Sequence, residues 1–154
     1  VIEESIRSQQ ATGAETALPA YLRLLGYAKA RLGRLEEGLE HVEAGLAIAE
    51  RNGELLFLGQ MFRTRGELLL ACGGPRASDA ADACHRRDLE LARRHDVPLF
   101  EIEAVVGLGR FLLSQDRRDE ARGLLGETRS RLEGRVEDGV LRDLRRLATA
   151  CEAA

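Results

Sequence analysis

The stretch "ARLGRLEEGLEHVEAGLAIAERNG", residues 30–53, has the pattern of an amphipathic helix, yet Gly38 and Gly45 lie inside it. Each glycine in a helix interior costs roughly 1 kcal/mol relative to alanine. The two glycines are seven residues apart and share a helix face with Val42 and Ala49. This arrangement predicts close approach of a neighbouring helix, with leucine at Gly38 overpacking the contact and alanine being tolerated there.

The composition of the 154-residue chain is typical of a helical protein. Apolar residues make up 44% and charged residues 32%, and no sustained alternation of apolar and polar residues indicates a strand. We therefore expect an all-α fold in a single domain covering 1–154. No apolar run is long enough to span a membrane, and three widely spaced cysteines suit reduced thiols, so we expect a cytoplasmic protein.

A unit of 40 residues recurs along the chain. The segments 9–26, 49–66 and 92–109 align at a turn, and a glycine follows each turn by 13 residues, at Gly26, Gly66 and Gly109. A second small residue follows in each unit, at Gly38, Ala81 and Ala121. The middle unit is three residues longer, within the loop-like segment "CGGPRASD" at 72–79. This spacing predicts repeated helical hairpins.

Apolar periodicity predicts eight helices, at 1–11, 16–33, 35–51, 55–72, 78–94, 98–114, 117–133 and 138–152. Pro19 and Pro98 suit first helical turns, whereas Gly33 and Gly53 suit helix ends. We divide the chain into the second helix of a truncated repeat (1–13), three repeats (14–53, 54–96 and 97–135) and a capping helix (136–154). We expect a fragment of a longer protein.

The order of large and small residues resembles a tetratricopeptide repeat. The first unit carries Leu22, Leu25 and Gly26 in one helix and Gly38, Val42 and Gly45 in the next. The second unit departs from the repeat at Arg65, His85 and Asp88. The resemblance implies a right-handed superhelix of antiparallel helical hairpins, which is a tetratricopeptide-like α-solenoid of about eight helices.

A second resemblance covers nearly the whole chain. The runs "GRLEEGLEHVEAGLA" (33–47), "FRTRGELLL" (62–70) and "EDGVLRDLRRLATAC" (137–151) are similar to the C-terminal helical array of bacterial STAND-type signalling ATPases. Many of those proteins carry an adenylate or guanylate cyclase domain, and others carry a transcriptional module. The resemblance implies a regulatory or sensor region in signal transduction.

No residue pattern in the chain is typical of an active site. His41, His85 and His95 have no serine or cysteine motif around them. Cys84, His85 and Asp88 do not complete a zinc site, and "GLG" at 107–109 lacks the third glycine of a nucleotide loop. We therefore expect no enzymatic activity, no cofactor and no metal, and a helix-packing role for His85.

The tetratricopeptide resemblance implies that a partner binds a concave face formed by the first helix of each hairpin. It assigns nine contact positions to that face, namely Arg23, Tyr27, Arg31, Gln60, Arg63, Glu67, Glu103, Arg110 and Ser114. Arginine and tyrosine are frequent at binding hot spots. The alternative is that these positions form an ordinary solvated helix surface.

Several functions stay open at this point. The first is a scaffold that binds a protein or peptide, or another domain of the parent chain. The second is a solenoid of a transcriptional regulator that senses a small-molecule effector. The third is a structural or self-association module, in which Ile2 and Ile6 at the truncated end promote a homodimer. The net charge of −3 argues against a nucleic-acid partner, and we expect no membrane association.

Overall fold

The computed structural model describes residue 4, residues 17–137 and residues 139–152. Within this part of the chain the regular secondary structure is entirely helical, so the all-α prediction is confirmed. The helices are α1 (Leu18–Arg31), α2 (Leu35–Asn52), α3 (Leu55–Cys72), α4 (Ala77–Arg94), α5 (Pro98–Ser114), α6 (Arg118–Leu132) and α7 (Arg142–Glu152).

The boundaries of α1 to α6 agree with the predicted ones to within two residues. The last helix begins at Arg142 rather than at 138, because Gly139 and the two residues after it form turns, in which the Arg142 amide donates to the Gly139 carbonyl at 3.3 Å. Glycine is a poor residue for the first turn of a helix. The helix predicted at 1–11 lies outside the described residues apart from Glu4.

Residues with positive φ end several of the helices. Gly33 and Gly53, which were predicted to end α1 and α2, have φ values of 77° and 67°. Asp96 and Asp116 take the same left-handed conformation after α4 and α5, with φ values of 52° and 57°. Aspartate tolerates this conformation better than most residues, which explains how the later turns form without glycine.

Contacts between Cα atoms divide the chain into two compact parts, which are larger than the 40-residue repeats. We call them unit 1 (Val1–Cys84) and unit 2 (His85–Ala154) from here on. In unit 1, α1 packs on α2, α2 packs on α3, and α1 also contacts α3. In unit 2, α5 packs on α6, α6 packs on α7, and α5 also contacts α7. Each unit thus has sequential contacts between neighbouring helices, consistent with a helical repeat. The proposed repeat boundaries stay a prediction.

The small residues at the repeat positions are all buried, at Gly26, Gly38, Gly45, Gly66, Ala81, Gly109 and Ala121. The backbones of two helices come close together at Gly26 on α1 and Gly38 on α2. A Cβ atom at Gly38 would lie 2.7 Å from the Gly26 carbonyl oxygen, and one at Gly26 would lie 2.8 Å from the Gly38 carbonyl oxygen. The helix backbones therefore touch, as the glycine pattern predicted. However, the expectation that alanine is tolerated at Gly38 is wrong, because a backbone oxygen occupies the space of the methyl group.

Candidate functional site

Two of the predicted contact positions in unit 1 meet across neighbouring helices. The Tyr27 hydroxyl on α1 donates a hydrogen bond to the Glu67 carboxylate on α3. The two residues are 40 positions apart, which is the length of the predicted repeat. In the predicted repeats they would be equivalent positions, and their hydrogen bond and the contacts between the two helices show that α1 lies beside α3.

Arg23 lies one helical turn before Tyr27 on the same side of α1. Its guanidinium carbon, Cζ, is 5.8 Å from the centre of the Tyr27 ring, within the range of a cation–π contact. Its Nε atom is buried and has no hydrogen-bond partner in the part of the chain that is described. A buried donor without a partner costs about 1–3 kcal/mol, so this N–H has a strong preference for an added acceptor.

Burial raises the pKa of Tyr27 above its ordinary value of 10.0, and the hydrogen bond to Glu67 raises it further. A hydrogen bond with Thr64 and the charge of Arg23 act in the opposite direction and are smaller. At neutral pH the phenol is therefore protonated and acts as the donor to Glu67. The ring is held between α1 and α3 as a rigid apolar surface.

The other predicted positions of unit 1 surround this contact. Gln60 and Arg63 are half-buried on α3 and, by helical spacing, lie on the same face as Glu67. The Thr64 hydroxyl donates to the Gln60 backbone carbonyl at 2.9 Å, while Arg31 is exposed near the end of α1. We call Arg23, Tyr27, Gln60, Arg63 and Glu67 the α1–α3 face.

The three predicted positions of unit 2 are exposed on α5. Glu103, Arg110 and Ser114 share one helix face by their spacing. The Ser114 hydroxyl donates to the Phe111 carbonyl at 2.6 Å and accepts from the Gln115 amide at 3.3 Å. These contacts are local to the end of α5, so nothing in them distinguishes a binding position from a solvated surface.

Unit 2 also contains a buried charge that the sequence patterns did not single out. Only 1% of the Glu101 side chain is exposed, and its carboxylate accepts from Arg93 Nε at 3.1 Å and from Arg131 Nη2 at 2.8 Å. Glu101 raises the pKa of Arg131, chiefly through this hydrogen bond. Its helical spacing from Val105 and Leu108 could have indicated that Glu101 lies on the buried face of α5.

Two residues considered as metal ligands have other roles. The Cys84 thiol is buried and accepts a hydrogen bond from Arg65 Nη1 at 3.2 Å. The His85 ring stacks on Phe111 with 5.3 Å between ring centres, as expected for a packing residue. Across the described ranges, no three His, Cys, Asp or Glu side chains come together in the manner of metal ligands.

The helices in the described part of the chain lack the combination of length and apolar character needed to cross a membrane. No protein-family model matches the chain, and a comparison with curated proteins also finds no match. The similarity to tetratricopeptide repeats and to STAND-type ATPases stays a prediction, and function must be argued from the residues themselves.

Proposed function

We propose that the chain is a non-catalytic helical-repeat scaffold that binds a protein or peptide partner, or another domain of its parent protein, through the α1–α3 face. The contact between Tyr27 and Glu67 is the observation that carries the proposal. It joins two positions that the tetratricopeptide resemblance assigns to a binding face. The contact also orders the tyrosine ring beside Arg23.

The chemistry of the α1–α3 face favours a peptide segment with hydrogen-bond acceptors next to an apolar side chain. Arg23 offers an unsatisfied buried N–H, and the Tyr27 ring beside it offers a rigid apolar surface. A partner carbonyl or carboxylate would accept from the terminal nitrogens of the Arg23 guanidinium, and an apolar side chain would cover the Tyr27 ring. Rigid aromatic area and arginine donors are the usual components of binding hot spots.

The architecture proposed with this function is a right-handed, tetratricopeptide-like superhelix of about eight helices. The repeated contact pattern within each unit supports it, because the first helix of a hairpin also contacts the helix that follows the hairpin. In this proposal the chain is the cytoplasmic regulatory region of a bacterial signal-transduction ATPase or cyclase. The sequence upstream of Val1 tests this parent protein. A phosphate-binding loop and further 40-residue repeats there would support it, and their absence would contradict it.

A selection from a displayed random-peptide library on the immobilised protein tests the binding function. We expect enriched peptides to carry an acceptor beside an apolar residue. Replacing Arg23 with alanine should raise Kd at least tenfold, which corresponds to about 1.4 kcal/mol, because a hot-spot donor is removed. Arg63→Ala should weaken binding to a smaller extent.

The matched control for these variants is Arg51→Ala, since Arg51 is an exposed arginine at the end of α2 and lies outside the α1–α3 face. Equal affinity of the Arg23→Ala and Arg51→Ala variants would contradict the proposed face. Failure to enrich any peptide would contradict the scaffold function and favour the structural or self-association alternative, which concentration-dependent sedimentation measures directly.

A further inference from the structure

A cavity of about 370 Å³ lies between α6 and α7, entirely within unit 2. Apolar residues from both helices and from the turn before α7 form its floor, namely Leu125, Leu141, Leu144 and Ala148. Three arginines, Arg122, Arg129 and Arg145, also line it. Its volume is in the range of about 300–1,000 Å³ that small-molecule sites occupy.

The charged side chains among the described lining residues of this cavity are all arginines. None of its nine described lining residues is acidic. Arg122 is paired with Asp119 at 2.7 Å, outside the lining, and also donates to the Cys151 carbonyl at 3.4 Å. The Arg129 side chain makes no hydrogen bond or ion pair among the described residues. An anion at the cavity would therefore meet a guanidinium that has no competing internal carboxylate.

A second cavity in unit 2 provides an internal comparison. It has a similar volume, about 380 Å³, and also an apolar floor, at Leu108 and Leu112. Its arginines, however, are matched by acids in the same lining. Arg86 is paired with Glu120, and Arg93 is paired with Glu127 at 3.1 Å. The second cavity therefore has little net charge to offer a ligand, which distinguishes it from the cavity between α6 and α7.

Gly126 on α6 lines the cavity without a packing reason for being glycine. A Cβ atom at this position would meet no described atom within 4 Å, in contrast to Gly38, where it would meet a backbone oxygen. Glycine destabilises a helix interior, so an exposed helical glycine with empty space above it needs another explanation. The absence of a side chain at Gly126 leaves one wall of the cavity open.

We propose that the cavity between α6 and α7 binds a small organic anion with an apolar body, of the class of a medium-chain carboxylate. The arginines bind the carboxylate through charge-assisted hydrogen bonds, and the leucines contact the apolar chain. The proposal is independent of the peptide-binding α1–α3 face, which lies in unit 1.

Calorimetric titration of the full chain with decanoate tests this site. We expect saturable binding of decanoate, weak or no binding of acetate, which lacks the apolar body, and weak or no binding of decanol, which lacks the charge. The Arg129→Gln variant should raise Kd about tenfold because it removes one charge-assisted contact. Arg94→Gln is the matched control, since Arg94 is exposed at the end of α4 and does not line the cavity.

The glycines of α6 supply a second matched pair. Leucine at Gly126 should fill the cavity wall and abolish decanoate binding, whereas leucine at Gly123 should leave it unchanged. Gly123 is on the same helix, is equally free of neighbours within 4 Å, and lines the other cavity. Both variants should melt about 2–4 °C higher than the parent chain, because leucine favours a helix over glycine. A loss of binding in Gly126→Leu is then not a loss of folding.

Three results would overturn the proposal. One is the absence of decanoate binding at millimolar concentration. Another is equal binding of decanol and decanoate, which would show that the arginines do not select an anion. The third is binding that Arg129→Gln and Gly126→Leu leave unchanged, which would place the ligand elsewhere.

Discussion

Unit 1 and unit 2 use the same repeat positions for different contacts. In unit 1, Gly26 and Gly38 bring the backbones of α1 and α2 together. The corresponding positions of unit 2 are Gly109 and Ala121. A Cβ atom at Gly109 would meet the end of the Leu147 side chain on α7, at 2.6 Å from Cδ2, rather than the backbone of α6. Both units have a small residue at this position, but its neighbour is a backbone oxygen in unit 1 and a leucine side chain in unit 2.

A small residue at a repeat position therefore does not by itself determine how closely two helices pack. Backbone against backbone leaves no group that can rotate away, whereas a leucine end can adopt another rotamer. Unit 1 should therefore tolerate less change at its helix contact than unit 2. Unit 2 instead contains a buried carboxylate, Glu101, between two arginines.

The largest effect is expected at the rigid contact of unit 1. Gly38→Leu should lower the free energy of unfolding by about 3 kcal/mol, because α1 and α2 must separate to admit the side chain. Gly38→Ala should lower it by about 1–2 kcal/mol despite the better helix propensity of alanine. Urea denaturation of each variant measures both values.

The control for this prediction is Gly109→Ala, which should have a smaller effect than Gly38→Ala because Leu147 can move. Equal losses at Gly38 and Gly109 would show that the two contacts are alike. The inference that the helix contact of unit 1 is more rigid than that of unit 2 would then be wrong.

The second effect concerns the buried charge of unit 2. Glu101→Ala should lower the free energy of unfolding by about 2 kcal/mol, since it leaves Arg93 and Arg131 without their shared acceptor. The loss is expected to be below the usual 3–5 kcal/mol for a broken buried pair, because both arginines are partly exposed and can turn towards water. Thermal and urea denaturation provide the measurement.

Glu120 is the matched control for Glu101, because its carboxylate also contacts two arginines, Arg86 and Arg117, but is exposed. Glu120→Ala should cost less than about 1 kcal/mol. The hydrogen bond from Arg86, followed by that from Arg117, lowers the pKa of Glu120 below 4.5. Its small contribution is therefore present above pH 4.5 and is lost as the pH falls through the lowered pKa. A larger loss for Glu120→Ala than for Glu101→Ala would show that the exposed carboxylate contributes more to stability than the buried one.

Much of the fold follows from local sequence, whereas the sites depend on distant residues. Apolar periodicity and the turn residues Gly33 and Gly53 placed the described helices closely, because each signal acts within a few positions. Glu101 could not be recognised as a paired buried acid, since Arg131 is 30 positions away. The cavity depends likewise on how α7 lies beside α6. For Tyr27 and Glu67, the tetratricopeptide resemblance placed both residues on one predicted face, but their hydrogen bond depends on how α3 lies beside α1.

Substitution of glycine by alanine should change the free energy of unfolding in opposite directions at Gly126 and at Gly38. Gly126→Ala should raise the free energy of unfolding by about 0.5–1 kcal/mol, because the added methyl group meets open space and alanine favours the helix. The same substitution at Gly38 should be destabilising. Urea denaturation of the two variants side by side gives the signs directly. A destabilised Gly126→Ala variant would mean that α6 is packed at this point, and the cavity would lose its open wall.

A small effect on stability is also expected at the contact between α1 and α3. In a Tyr21→Phe background, ultraviolet absorbance titration reports Tyr27 alone, and we expect its pKa to exceed 10.0. Glu67→Gln should lower that pKa only in part, because burial is the larger cause of the shift. The raised pKa implies a stabilising contribution that is fully present below pH 10.0 and is lost as the pH rises through the folded-state value.

Tyr27→Phe should accordingly cost only about 0.5–1 kcal/mol at neutral pH and should reduce the decline of stability in alkaline solution. The two tyrosine measurements must agree, since both report the same proton. If Tyr27 titrated at or below 10.0, the phenol would be neither buried nor bonded to Glu67. The α1–α3 face would then have lost its ordered tyrosine, and the peptide-binding proposal would lose the observation on which it rests.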